Sequence, residues 1–258
     1  MKVEQYIHER IAKQGAMLFC LIDPLDYPSL EEAIKAGVAS AKGGADIILV
    51  GGSMGVQGEA LDKVVKGIKE KISVPLVLFP GNITTFSKYA DGVYFMSMLN
   101  SRNPYWITGA QTLAAGEVAK SKVEALPVGY IVVEPGGTVG WVGDAKLIPR
   151  GKPKVAAALA LAGQCMGFRM ILTDAGSAPK EGHIPEEMVR AVAGVLKVPY
   201  IVGGGVRTPE QARRVIAAGA DAIQVGTALE EKGGVEEKVK ELKKAVLEGA
   251  KERKFKKC

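Results

Sequence analysis

Short runs of aliphatic and β-branched residues recur along the chain, each followed by a longer stretch whose apolar positions return every three or four residues. The runs are Met17–Ile22, Ile47–Val50, Leu76–Phe79, Gly92–Met96, Gly129–Glu134, Met170–Thr173, Tyr200–Val202 and Ala222–Val225. They are predominantly apolar, as parallel strands covered on both faces are. The stretches between them predict helices over Leu30–Lys42, Glu59–Lys71, Ile107–Lys120, Lys154–Gln164, Pro185–Leu196 and Thr208–Ala218, with a last one over Val235–Lys251. This strict alternation predicts an α/β fold, a single (β/α)8 TIM-type barrel domain over residues 1–258. A doubly wound sheet is the competing arrangement, but no GxGxxG follows the first strand.

The third unit is too short. Only Pro80 to Asp91 separate the third and fourth strands, opening on Pro80-Gly81, and a turn with a full covering helix needs more chain. The third helix is therefore expected to be missing or replaced by an irregular segment. Its absence would expose an apolar flank, suited to an oligomer contact or a long apolar ligand.

Composition narrows the class. With 258 residues, 47% hydrophobic and 24% charged, the chain has ample material for one large core, which excludes wholesale disorder. The net charge of +6 admits nucleic acid, membrane surfaces or anionic small substrates as partners. Much of the excess lies at the end of the chain, in Lys243, Lys244, Lys251, Arg253, Lys254, Lys256 and Lys257, which reads as a solvated, frayed terminus. Without interleaved aromatic and basic residues, no nucleic acid partner is expected. A peripheral contact with an anionic membrane surface stays open.

Cys20, Cys165 and Cys258 have no metal or disulfide spacing, and a reducing compartment is the default. Met1 to Gln14 is charged throughout, unlike a signal peptide, and no run spans a bilayer. A soluble cytoplasmic protein is expected.

The candidate chemistry gathers at strand ends. Gly203-Gly204-Gly205 closes the seventh strand and Gly226-Thr227 the eighth, the two loops that recurrently bind phosphate in barrels. Sharp turns alone would also explain these glycines, but both loops in the right order favour phosphate. Asp23, after the first strand, would suit a hard divalent cation such as Mg²⁺, with Ser53 bringing a hydroxyl to the same ion. Turn capping explains both equally well. Glu134 and Asp174 end the fifth and sixth strands and face the same mouth, as acceptors for substrate hydroxyls or a proton. His8 and His183 are too few for a His-rich metal site, and His8 reads as a surface residue of a first helix.

These pieces resemble the geranylgeranylglyceryl phosphate synthase family of archaeal ether-lipid biosynthesis along nearly the whole chain. The resemblance rests on Leu21-Ile22-Asp23-Pro24, Val50-Gly51-Gly52-Ser53 and Leu78-Phe79-Pro80-Gly81-Asn82, with the two glycine loops. Its most specific parts are the FMSMLNSRNPYW run from Phe95 to Trp106 and the VVEPGGTVGW run from Val132 to Trp141.

It implies Mg²⁺-dependent transfer of a geranylgeranyl group from geranylgeranyl diphosphate to the C3 hydroxyl of sn-glycerol 1-phosphate, by a homo-oligomer. Asp23 and Ser53 would carry the metal. Leu172, Thr173, Asp174, Ala175, Gly176 and Ser177, with Tyr130 and the glycines Gly203, Gly204, Gly205 and Gly226 with Thr227, would hold glycerol phosphate. The prenyl tail would lie near Tyr94, Tyr105 and Trp106. The chain departs from the family at strand six, where Leu172-Thr173-Asp174-Ala175-Gly176-Ser177-Ala178-Pro179 replaces Tyr-Leu-Glu-Ala-Gly-Ser-Gly-Ala. The carboxylate is set back by one methylene, roughly 1.5 Å. Two other readings of the residues are an isomerase or lyase acting on a phosphorylated metabolite, and a phosphate-binding homologue that has lost catalysis.

Overall fold

A computed structural model describes residues 2–229 and 234–253. Eight parallel strands close into a barrel in chain order: β1 (Met17–Ile22), β2 (Ile47–Gly51), β3 (Leu76–Phe79), β4 (Gly92–Met98), β5 (Glu124–Val132), β6 (Met170–Asp174), β7 (Tyr200–Gly203) and β8 (Ala222–Val225). The expected (β/α)8 barrel is what forms. Helix α1 (Val3–Gln14) precedes the barrel, and α2 (Leu30–Lys42) and α3 (Gly58–Lys69) follow β1 and β2. Helix α4 (Ala110–Lys120) follows β4, α5 (Gly137–Val142) and α6 (Pro153–Cys165) follow β5, and α7 (Glu186–Ala193), α8 (Pro209–Ala217) and α9 (Val235–Glu252) complete the ring.

The two-residue period of each strand divides the core. Met17, Phe19, Met170, Leu172, Ile201 and Ala222 fill the barrel, while Leu18, Cys20, Ile171, Tyr200, Val202 and Ile223 pack against the helices. Helix α1 joins the interior cluster through Val3 and Ile7, both fully buried, and so stops one end of the barrel.

That end carries a polar latch. Asp46, wholly buried, accepts hydrogen bonds from Arg10 at 2.7 Å, Lys243 at 2.5 Å and the Leu18 amide at 2.8 Å. Arg253 bonds Asp221 at 3.1 Å and the Ala220 carbonyl. Lys243 and Arg253 therefore do not belong to a solvated, frayed terminus: they fasten α9 to the barrel. Lys254, Lys256, Lys257 and Cys258 lie outside the described residues. His8 is exposed on α1, as expected, and Cys20 is buried, with its thiol pushed up by desolvation.

Three elements differ from expectation. β5 begins five residues earlier and stops before Glu134. Pro127, whose missing N–H argues against a strand interior, sits within it opposite Phe95. The predicted helix from Ile107 begins instead as a wide π turn over Tyr105–Gly109 that feeds α4. No helix covers β3: residues 80–91 run as turns and bends, as the short third unit required. Asn82 accepts from the Tyr105 hydroxyl at 2.7 Å and Ser87 donates to Asp62 at 2.6 Å, which pins this segment at both ends.

Candidate active site

The carboxyl ends of the strands surround a cavity of about 430 Å³. Its polar wall is built from β1, β2 and β5–β8. Asp23 follows β1 and accepts from the Leu25 amide at 3.1 Å, capping a single turn over Pro24–Asp26. Its carboxylate rests on Gly52, where a Cβ would lie 1.7 Å from Oδ2; Gly52 has φ +142°. Only glycine accommodates both that contact and that backbone. Burial pushes the Asp23 carboxyl up to about 6, with the Leu25 amide pulling the other way. Ser53 and Asp26 line the same wall.

Asp174 ends β6 and points inward. The Tyr130 hydroxyl donates to Oδ2 at 3.0 Å and the Gly176 amide to Oδ1 at 2.7 Å. Burial nevertheless raises its pKa, because desolvation outweighs those two donors. The loops after β7 and β8 bring Gly204, Gly205, Gly226 and Thr227 to the cavity, and Gly204 has φ +79°. A Cβ there would meet backbone of the β6 loop at 2.7 Å, so this turn is reserved for glycine. Arg207 sits at the rim.

One side of the cavity continues into an apolar groove. Pro80, Met96, Met98, Trp106 and Tyr130 border both spaces, and the groove runs on past Ile83, Phe86, Tyr94, Ala110 and Val118, between the helix-free segment and α4. Phe79 makes edge contacts with Tyr94 and Tyr130, at 5.5 and 5.8 Å between ring centres. Tyr105 does not line the groove; its ring meets Trp106 edge-on instead.

Asp23, Ser53, Tyr130, Asp174, Gly176, Ser177, Gly204, Gly205, Gly226 and Thr227 thus share one cavity. Five expected residues do not reach it. Thr173 faces outward, its hydroxyl 2.8 Å from that of Tyr200, because strand alternation turns it away from Asp174. Leu172 lies deeper, within the barrel packing, and Ala175 packs toward the helices. Gly203 lies beneath the Asp174 carboxylate. Glu134 is exposed, beyond the end of β5, and accepts from the Arg150 amide at 3.3 Å. It does not face the mouth as expected. The chain leaves β5 two residues earlier and turns outward.

Sequence reasoning passed over two residues. Asn100 grips both backbone groups of Val132 and the Lys146 carbonyl, at 2.8–3.0 Å, which holds the loop carrying α5 against the cavity. Gln224 lines the cavity from β8 and is 5% exposed. A lone amide in the apolar run Ala-Ile-Gln-Val was its visible signal.

Fold and site together define a (β/α)8 barrel whose glycine-lined polar cup opens into an apolar groove. Residues 9–246 match the PcrB family, and the chain belongs to it. It is 53% identical over 251 residues to the geranylgeranylglyceryl phosphate synthase of Thermococcus sibiricus, with 97% of each chain covered. It is 54% identical over 241 residues to that of Pyrococcus horikoshii, covering 93% of this chain and 94% of the relative. The crystal structure of (S)-3-O-geranylgeranylglyceryl phosphate synthase from Thermoplasma acidophilum, in complex with sn-glycerol-1-phosphate, superposes with a TM-score of 0.91. It is 38% identical and covers 96% of this chain and 99% of that one.

Proposed function

We propose that this chain transfers a geranylgeranyl group from geranylgeranyl diphosphate to the C3 hydroxyl of sn-glycerol 1-phosphate, making the first ether bond of archaeal membrane lipids. The observation that carries the reading is the continuity of a phosphate-ready cup with an apolar groove, across Tyr130, Met96, Met98 and Trp106. One space fits a small polar phosphate and the other a long hydrocarbon, and their junction is where the two substrates must meet.

The bond from the allylic carbon to the diphosphate oxygen breaks, and a bond to the C3 oxygen forms. The hydroxyl proton passes to Asp174, whose burial makes it a stronger base than a solvated carboxylate. Glycine-loop amides hold the glycerol phosphate, with Arg207 of the same β7 loop adding positive charge at the rim beside it. The groove excludes water from the allylic carbon.

Mg²⁺ fits the opposite wall. Among the described residues no three His, Cys, Asp or Glu groups cluster for a metal, so an ion here must take few protein ligands and share substrate phosphate oxygens. Asp23 and Ser53 would hold it, a carboxylate and a hydroxyl on one wall being the hard oxygen donors that such an ion takes. When bound, the ion supplies positive charge against the departing diphosphate.

Exposed Leu25 and Met54 after β1 and β2, with Trp141 on α5, support a peripheral membrane contact, where a lipid product would leave. Among the described residues no helix is long and apolar enough to cross a membrane. Exposed Leu113, Val155 and Leu161 on α4 and α6 support a homo-oligomer.

Labelled geranylgeranyl diphosphate and sn-glycerol 1-phosphate, incubated with the protein and Mg²⁺, are expected to give a solvent-extractable ether phosphate. Absence of that product overturns the reading.

A further inference from the structure

Gln224 is a buried amide in the cavity wall, and its Oε1 meets no hydrogen-bond donor. A buried carbonyl without a partner is costly and rare, and one lining a ligand cavity marks a contact that the ligand completes. Strand register places Asp174, Gly203 and Gln224 side by side on β6, β7 and β8. The outer two strands stand about 10 Å apart, two interstrand spacings. Gly203 contributes no side chain to that gap, and the Asp174 carboxylate leans over it, 3.2 Å from where a Cβ would be. Both oxygens of Asp174 already hold a protein donor, whereas the Gln224 carbonyl holds none.

The two acceptors differ in their distance from the groove. Asp174 is joined to Tyr130, which borders the groove, while Gln224 stands two strands away on β8, directly before the Gly226 loop. A glycerol phosphate held by its phosphate at the glycine loops must turn its reacting hydroxyl toward Tyr130 and the groove. Its other hydroxyl then falls on the β8 side.

We propose that Gln224 receives the non-reacting C2 hydroxyl of the glycerol phosphate and so selects the hand of the acceptor. The inference rests on the prenyl-transfer reading above. Phosphate loops, Asp174 and Gln224 give three points of contact around the C2 carbon, the number needed to tell sn-1 from sn-3. A half-turn of the amide exchanges its ends, so the group can accept from the hydroxyl or donate to it.

The test pairs Gln224→Met, close in shape, with an acceptor lacking the hydroxyl in question, 3-hydroxypropyl phosphate. The substitution is expected to lower kcat/KM for sn-glycerol 1-phosphate roughly tenfold, the worth of one net hydrogen bond. It should leave 3-hydroxypropyl phosphate within about twofold and narrow the preference for sn-1 over sn-3 glycerol phosphate by a similar tenfold factor. An equal loss on both acceptors, or no loss on either, overturns the proposal. The thermal midpoint should not fall, because methionine leaves no unpaired carbonyl. Should it fall, calorimetric binding of the two acceptors to the folded fraction decides by the same pattern. That calorimetry needs no prenyl diphosphate, so it still reports on Gln224 if the wild-type protein shows no transfer.

Discussion

Replacing Asp174 with asparagine is expected to separate the stability of this barrel from its chemistry. The carboxylate is buried and held by two donors, Tyr130 and the Gly176 amide, and its pKa is still raised. The upward direction says that burial costs the anion more than those donors return. Asparagine preserves the shape. Its Oδ1 accepts from Gly176, and its amide nitrogen donates to the Tyr130 oxygen once that hydroxyl rotates. Two charge-assisted bonds become neutral ones, a loss of about 1 kcal/mol each, while a desolvation penalty of several kcal/mol disappears. The balance is a gain on the order of 1 kcal/mol at neutral pH, or about 2–4 °C in Tm for a chain of this size.

The sign with pH follows from proton uptake. A carboxyl whose folded pKa lies above its unfolded value binds protons more tightly in the native state, so wild-type stability falls as pH rises between those two values. The advantage of the variant should therefore grow as pH rises through the folded pKa of Asp174 and vanish below the unfolded carboxylate range. Differential scanning fluorimetry across pH 4 to 8 reads this directly. Prenyl transfer, lacking its proton acceptor, should drop on the order of a hundredfold or more. A variant that melts lower than wild type at every pH, or that keeps its activity, refutes the reasoning.

Other perturbations reach other parts of the molecule. Gly52→Ala puts a methyl group on the Asp23 carboxylate in a backbone conformation alanine resists, so Mg²⁺-dependent activity should need a higher ion concentration; an unchanged Mg²⁺ titration would count against the metal assignment. Protons compete with the ion for Asp23, and below a pKa of about 6 the half-saturating Mg²⁺ concentration should climb about tenfold per pH unit. Calorimetric titration with Mg²⁺ at pH 5 and 7 measures that climb, which Asp23→Asn should abolish. Asp46→Ala leaves Arg10 and Lys243 without their shared partner and should destabilise the fold by about 3–5 kcal/mol, read as a lower midpoint in urea, with kcat unchanged in the protein that remains folded.

How far the sequence could be read depended on which physical signal each part carries. Strand and helix positions were legible because buried parallel strands are mostly apolar, and the missing helix was legible from chain length alone. Thr173 was misplaced by treating a strand end as a block, when a one-residue step turns a side chain from the cavity to the helices. Glu134 was misplaced because nothing local shows that β5 stops at Val132 and the chain turns away. The early start of β5 was hidden by Pro127, and its first residues pair with β4, Glu124 opposite Gly92, a partnership no local pattern displays. The latch on Asp46 joins residues up to 197 positions apart, so the basic residues near the chain end looked like solvated charge.

The helix-free flank over β3 has a consequence for the protein as a thermodynamic system. Elsewhere the barrel is jacketed by its own helices, but here the jacket is a looped segment beside an open groove. A hydrocarbon chain lying in that groove would complete the wall with atoms that are not protein. Substrate would then act as a detachable piece of the fold, stabilising it in proportion to the logarithm of its free concentration. The part of the barrel most sensitive to substrate supply would be the segment from Pro80 to Asp91, and amide hydrogen exchange there should slow as prenyl diphosphate is added.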